Sequence, residues 1–218
     1  MTAERLADPD LPRWLTTLAS AARDVTAEQL SRHLVPEDGG GRPSAVLVLF
    51  GEGRAGPDVL LIQRAADLRA HAGQPAFPGG SLEPLDNGPV GAALREAAEE
   101  TGLDPSGVDV FGMLPELWLP YTGYRVAPVL AWWRVPSPVY AADPGEVASV
   151  HRVPLTELVD PANRLMVRHP SGFVGPAFGV SGLIVWGFTA GLLDKILALG
   201  GWDLPWDPDR IEPLGETQ

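Results

Sequence analysis

Cysteine is absent from this 218-residue chain, which excludes disulfides, zinc–thiolate sites and cysteine nucleophiles. Lysine is almost absent: Lys195 is the only one, and 16 basic residues stand against 28 acidic ones, for a net charge of −12. With a pI near 4.6 and no basic run, the chain does not suit a nucleic-acid duplex, whose binders present a basic face to the phosphates. A membrane-spanning segment is missing too. The longest apolar run, Val180 to Leu193, is too short for a bilayer and is broken by glycines. There is no G-x-S-x-G elbow, and His33, His71, His151 and His169 form no H-E-x-x-H, so they read as surface or loop residues. Trp132, Trp133 and Trp186 read as packing, since no basic groove accompanies them. Met1 to Arg13 carries Glu4, Asp8 and Asp10 without the apolar core of a secretory signal, and the final Gly-Glu-Thr-Gln is no peroxisomal address. A cytoplasmic location is the expectation, compatible with the missing cysteines.

What is present is concentrated between Phe77 and Leu103, FPGGSLEPLDNGPVGAALREAAEETGL. On a helix, Glu96 stands three and four residues before Glu99 and Glu100, so the three carboxylates share a face. At about 5 Å, each like-charge pair repels by roughly 3 kcal/mol at an effective dielectric near 20, and by about 1 kcal/mol in bulk water. An acidic run of this kind is usually just a hydrated surface. Its setting argues otherwise. Phe77-Pro78-Gly79-Gly80 forms a turn whose bare backbone admits a ligand closely, and Gly102 supplies a left-handed helix end. Hard cations such as Mg²⁺ take oxygen ligands and sit between one or two carboxylates and substrate phosphates. The residues therefore point to a metal site acting on a diphosphate.

This segment resembles the Nudix hydrolase box, G-x5-E-x7-R-E-U-x-E-E-x-G-U, where U is aliphatic. Gly80 matches the first glycine, and Arg95, Glu96, Glu99, Glu100, Gly102 and Leu103 match the second half, with the small Ala97 at U. The first acidic position is Asp86 rather than Glu, and its spacing to Arg95 is one residue longer than the general form. Upstream, Leu60-Leu61-Ile62-Gln63-Arg64, Arg69, Gly73 and Phe77-Pro78-Gly79-Gly80 are similar to the element L-L-T-x-R-S-x3-R-x3-G-x3-F-P-G-G of the coenzyme A pyrophosphatase branch. Ile62 and Ala65 replace its threonine and serine. The resemblance runs from about Ser44 to about Leu199.

The resemblance implies metal-dependent hydrolysis of the diphosphate of coenzyme A or acyl-CoA to adenosine 3′,5′-bisphosphate and (acyl-)4′-phosphopantetheine. Mg²⁺ or Mn²⁺ would be held by Glu96, Glu99 and Glu100, with the Gly80 carbonyl as a further ligand and Asp86 either near the metals through water or paired with Arg95. Arg95 would fix a box carboxylate. The general base would be a box glutamate or Glu146, from the loop before the strand at Val147. Substrate contacts are expected from Arg64, Arg69, Phe77, Gly79 and Arg125, since arginine grips phosphate with its planar fork. Two alternatives stay open: a Nudix pyrophosphatase acting on ADP-ribose or another nucleoside diphosphate derivative, and a non-catalytic nucleotide-binding regulator.

Strand and helix patterns interleave, so the fold class is α/β; the resemblance implies a Nudix-type α/β/α sandwich with a mixed sheet. Residues 1–43 are expected to form a helical extension and linker, 44–200 the hydrolase domain, and 201–218 an irregular, partly mobile tail. Strands are expected over 44–50, 59–64, 108–119, 125–135 and 147–153. Helices are expected over 90–101 and 181–199, with a short helical turn at 154–159. The last long helix is apolar nearly all round. It is therefore either deeply buried or a subunit interface, and the second case implies a homodimer.

Overall fold

The structure, a computed structural model, describes residues 10–68 and 71–214. A short 3₁₀ turn (Arg13–Leu15) leads into α1 (Thr16–Asp24) and α2 (Ala27–Leu30). The first sheet then begins with β1 (Arg42–Gly53), β2 (Gly56–Arg64), β3 (Pro75–Ala76) and β4 (Gly79–Ser81), followed by α3 (Gly88–Thr101). Next come β5 (Val108–Met113), β6 (Leu117–Leu119), β7 (Tyr124–Trp133), β8 (Val147–Pro154) and α4 (Leu155–Val159). The remainder is β9 (Arg164–Arg168), β10 (Val174–Val180), β11 (Leu183–Val185), α5 (Gly187–Gly200) and β12 (Ile211–Pro213).

The main sheet is mixed. β1 runs parallel to β7, from Arg42 opposite Tyr124 to Phe50 opposite Trp132, and its other pairings are antiparallel. Strand β1 reads as one apolar run because both its faces are covered. Ala45, Leu47 and Leu49 turn toward Ala92, Ala93 and Ala97 of α3. Val48 and Phe50 turn the other way, toward Leu15 and Leu18 and toward Leu193, Ile196 and Leu197 of α5. Alternation of side chains along a strand thus builds a three-layer α/β sandwich, as expected.

One detail positions everything else. β1 and β2 pair only near their hairpin, from Phe50 opposite Val59 to Gly53 opposite Gly56, and then diverge. The segment 75–81 occupies the fork. Its first part, β3, pairs with Ile62 and Gln63 of β2; its last part, β4, pairs with Ser44 to Val46 of β1. The Leu47 N–H donates to the Pro78 carbonyl between them at 2.8 Å.

Three expectations change. The span 181–199 is not one helix: Ser181 and Gly182, at φ 51° and 77°, make a two-residue hairpin turn that pairs Val180 with Leu183, and α5 starts only at Gly187. The expected strand 108–119 is two, broken around Leu114–Glu116. A second sheet, in the order β11-β10-β9-β12, was not foreseen, and it ties down the tail. β12 runs parallel to β9, Leu214 is buried against Leu165 and Val167, and Trp202 packs against Trp14 and Phe50. Buried Arg164 pairs with Asp194 and lies between the Phe178 and Trp206 rings. Among the described residues the tail is irregular between α5 and β12, and packing fastens it on both sides of that stretch.

Helix α5 is buried within one chain, between α1 and β10. Its all-round apolarity is therefore accounted for by burial, the first of the two cases. No helix among the described residues is long and apolar enough to cross a membrane.

Trp202 packs the tail against the main core. Trp202→Ala is expected to lower the unfolding free energy by roughly 2 kcal/mol, read from urea denaturation at an unchanged m value. A change within error would place the tail outside the cooperative unit.

Candidate active site

Helix α3 begins with Pro89 in its first turn and ends at Gly102, whose φ of 67° is the left-handed closure expected from sequence. Its small residues Ala92, Ala93 and Ala97 let it lie close on the sheet. That approach turns Glu96 and Glu100 inward toward the fork, while Glu99 stays 60% exposed.

Glu100 is the most constrained carboxylate, with only 3% of the residue exposed. Its Oε2 accepts from the Gly79 N–H at 2.9 Å, and its Oε1 lies 4.0 Å from Arg64 Nη1, too long for a hydrogen bond. Burial pushes its pKa up to about 8; the Gly79 bond and Arg64 oppose this, while Glu96 and Glu146 add repulsion. Glu96 is also raised, chiefly by burial, with Arg95 opposing and the charges of Glu99 and Glu146 adding. One pocket thus collects more negative charge than its cations balance.

The two glycines of the turn are fixed by space. A Cβ on Gly79, at φ 159°, would fall 2.3 Å from the Ala45 carbonyl oxygen. A Cβ on Gly80 would fall 2.3 Å from Glu96 Oε1. The backbone here lies directly against the carboxylate, as a cradle must.

Arg95 organises the outer side of the cluster. It donates from Nε to Asp86 Oδ1 at 2.9 Å and from Nη2 to Asp86 Oδ2 at 3.1 Å. Nη1 reaches Glu99 Oε2 at 3.0 Å and Glu96 Oε1 at 3.1 Å, and Nη2 also donates to the Ser81 carbonyl at 3.2 Å. These bonds hold the Asp86 carboxyl below its usual range. Asp86 therefore spends its oxygens on Arg95 and on the Glu83 N–H, 2.7 Å away, rather than facing the pocket.

Glu146 is brought to the same pocket from another element. The loop between β7 and β8 is tied to the end of α3 by Tyr140 N–H to Thr101 O at 2.9 Å and Ala142 N–H to Glu100 O at 3.1 Å. A turn at Asp143 follows, and the Glu146 carbonyl accepts from the Ala65 N–H at 2.8 Å. Glu146 is exposed, and its charge acts on both Glu96 and Glu100.

The arginines divide. Arg64 faces Glu100, and its buried Nε has no partner among the described residues. Arg125 is engaged elsewhere, with Glu116 at 3.0 Å and the Gly39 carbonyl at 2.6 Å, and does not join the cluster. Phe77, expected at the substrate, is 3% exposed and packs in the core on the α5 side, where it anchors the turn. Arg69 lies outside the described residues. Ile62 and Ala65 are both buried, so the hydroxyls they replace would have faced the interior.

Among the described residues, no three His, Cys, Asp or Glu side chains close into a metal cage. An open arrangement suits Mg²⁺, which keeps waters and takes its other oxygens from substrate phosphates. Glu96, Glu100 and the Gly80 backbone fit a hard cation: oxygen donors, one buried, with unbalanced negative charge.

The comparisons with known proteins agree. The NUDIX domain family model matches residues 41–172, more than half the chain. The uncharacterized Nudix hydrolase NudL of Citrobacter koseri is 41% identical over 162 residues, covering 71% of this chain and 81% of that protein. NudL of Escherichia coli K12 is 39% identical over the same shares. A crystal structure of RenU, a Nudix hydrolase from M. smegmatis, superposes with a TM-score of 0.53 at 19% identity, over 76% of this chain and 89% of that one. At that identity the likeness is one of fold.

The raised pKa of Glu100 fixes a sign for stability. Between about pH 4.5 and 8 the folded chain keeps a proton that the unfolded chain releases, so this carboxyl destabilises the metal-free fold increasingly as pH rises. Glu100→Gln, which cannot ionise, should match the wild type at pH 5 and exceed it by roughly 1 kcal/mol or more at pH 9, read from denaturant melts in chelator. Equal stability at both pH values would contradict the burial of an unbalanced charge.

Proposed function

We propose, from the premise that this chain belongs to the Nudix hydrolase family, that it splits the diphosphate of coenzyme A or a similar CoA-like molecule. The observation that carries this reading is Glu100, buried beside the bare Gly79–Gly80 backbone with its charge uncompensated. Glu96, Glu100 and the Gly80 carbonyl would hold a divalent cation, Mg²⁺ or Mn²⁺, and Glu99 would be a further ligand if freed from Arg95. The bound cation supplies charge screening and a more acidic water. The chain's own residues do the rest. Arg64 turns toward Glu100 and grips a phosphate oxygen, and Arg69 is proposed as its companion. Arg95, clamped by Asp86, keeps Glu96 and Glu99 in place. Glu146 accepts a proton from the attacking water. The water oxygen bonds to one phosphorus, the P–O bond to the bridging oxygen breaks, and two phosphate monoesters leave. For CoA these are adenosine 3′,5′-bisphosphate and 4′-phosphopantetheine.

The CoA assignment rests on the upstream element from Leu60 to Gly80 and is the finer part of the proposal. Purified protein with Mg²⁺ is incubated with CoA, acetyl-CoA, ADP-ribose, NADH and dNTPs, and the products are identified by mass. Cleavage of CoA to the two named products is expected; cleavage of ADP-ribose alone overturns the CoA assignment, and cleavage of nothing overturns the hydrolase.

Variants separate the roles. Glu100→Gln and Glu99→Gln should each lower kcat/KM on the order of 10²-fold or more. Glu146→Gln should lower kcat by about 10²-fold while leaving metal affinity intact, as befits a proton acceptor. Arg64→Ala should raise KM more than it lowers kcat. A Glu146→Gln enzyme with near-native kcat at saturating Mg²⁺ would return the base to the helix carboxylates.

A further inference from the structure

The loop between β7 and β8, residues 134–146, has neither helix nor strand, yet it carries Glu146 to the pocket. On its way it crosses the far end of α3 and completes that helix. The last carbonyls of an α-helix have no partners within it. Here the Tyr140 N–H donates to Thr101 O at 2.9 Å and the Ala142 N–H to Glu100 O at 3.1 Å. Just beyond the helix, the Ser137 hydroxyl accepts from the Asp104 N–H at 3.1 Å. The loop therefore lies along Glu100–Asp104, the stretch that also places the buried carboxylate.

A side-chain contact accompanies these bonds. The Tyr140 ring stands over Gly102, where a Cβ would fall 2.7 Å from Tyr140 Cε1 and 2.9 Å from Cζ, against 3.2 Å from Oη. A bare Cα leaves room for the ring, and a side chain does not. Gly102 thus has two tasks: its φ of 67° closes α3, and its missing Cβ seats the loop. Tyr140 is 62% exposed and is no core residue, so the partial covering of its ring adds little to the stability of the fold. Its effect is local.

Charge makes that local effect matter. Glu146 repels both Glu96 and Glu100, and with no cation among them the repulsion drives the loop outward. Two sets of ties oppose it. On the β2 side the Glu146 carbonyl accepts from the Ala65 N–H; on the α3 side stand the bonds to Thr101 and Glu100 and the ring on Gly102. Backbone bonds near the surface open readily to water, so a packed ring strengthens the hold on that side. We propose, on the diphosphate-hydrolase reading with Glu146 as proton acceptor, that Tyr140 is a positioning residue: its ring, seated on Gly102, holds the β7–β8 loop to the end of α3 and sets the reach of Glu146 toward the pocket. Tyr140 acts through Glu146 and not on the substrate.

Two substitutions break the seat from opposite sides. Tyr140→Ala removes the ring. Gly102→Asn keeps the left-handed backbone, which asparagine tolerates, and fills the ring's place. Tyr140→Phe retains the ring atoms that approach Gly102 most closely and serves as the rescue. Amide exchange at residues 140 and 142, followed by NMR in metal-free full-length protein, reads the seat without turnover. Exchange should quicken about tenfold or more in Tyr140→Ala and Gly102→Asn and stay native in Tyr140→Phe. With Mg²⁺ and a diphosphate that the wild type cleaves, Tyr140→Ala should lower kcat about tenfold, with KM and Mn²⁺ affinity within about twofold. In a Glu146→Gln background the same change should cost less than about twofold, because the group it positions is already gone. Unchanged exchange in Tyr140→Ala overturns the seat. A native kcat, or an equal loss with and without Glu146, overturns the positioning role. A wild type that cleaves no diphosphate sinks the hydrolase reading and Tyr140's part in the reaction with it, while exchange still decides whether the ring holds the loop.

Discussion

A carboxylate buried without a full counter-charge is the constraint around which this molecule is arranged. Glu100 reaches the sheet's interior only because α3 lies close on it through alanines, and because the fork between β1 and β2 is filled by backbone rather than side chains. Among the described residues the Gly79 N–H is the one hydrogen-bond donor to the carboxylate, and it does not neutralise the charge. A free carboxylate in this position is costly. The fold can keep it by protonation, or by a cation that brings its own oxygen-rich company. The second route turns a liability of packing into a binding site.

The surrounding structure divides the work of holding that site. Arg95 and Asp86 form a clamp that sets the rotamers of the helix face, and they are engaged with each other more than with the pocket. The β7–β8 loop, pinned to the end of α3, delivers Glu146 from a distant part of the sequence. Arg64 stands at the strand end where the two faces of the sheet meet, beside Gln63. The small second sheet and α5 support the far face.

Much of this was legible in the sequence, for identifiable reasons. The carboxylate spacing in Arg95–Glu100 survives any uncertainty about helix ends, and Gly79 and Gly80 mark a close approach that the structure explains by the positions of Ala45 and Glu96. The nearly continuous apolar run over 44–50 marks β1 as a buried strand, and 125–135 reads as a strand that the fold realises as β7. What was missed depends on pairings distant in sequence. Nothing local says that Ile211–Pro213 will find Arg164–Arg168, or that Arg164 will sit between Phe178 and Trp206. The Ser181–Gly182 turn did carry a local signal, a short glycine-containing break between apolar residues, which the helical periodicity downstream obscured. Phe77 and Arg125 are expected at the substrate; in the fold Phe77 is buried in the core and Arg125 pairs with Glu116.

The central claim is that the Glu96–Glu100 pocket exists to take up a divalent cation. Titration of Mn²⁺ into metal-free protein near pH 8, followed by the loss of the free-ion EPR signal, tests it most directly. The account predicts saturable uptake by the wild type and its loss in the Glu96→Gln/Glu100→Gln double variant, with both proteins folded. Uptake that persists unchanged in the double variant, or no uptake by the wild type even with a diphosphate present, would contradict it.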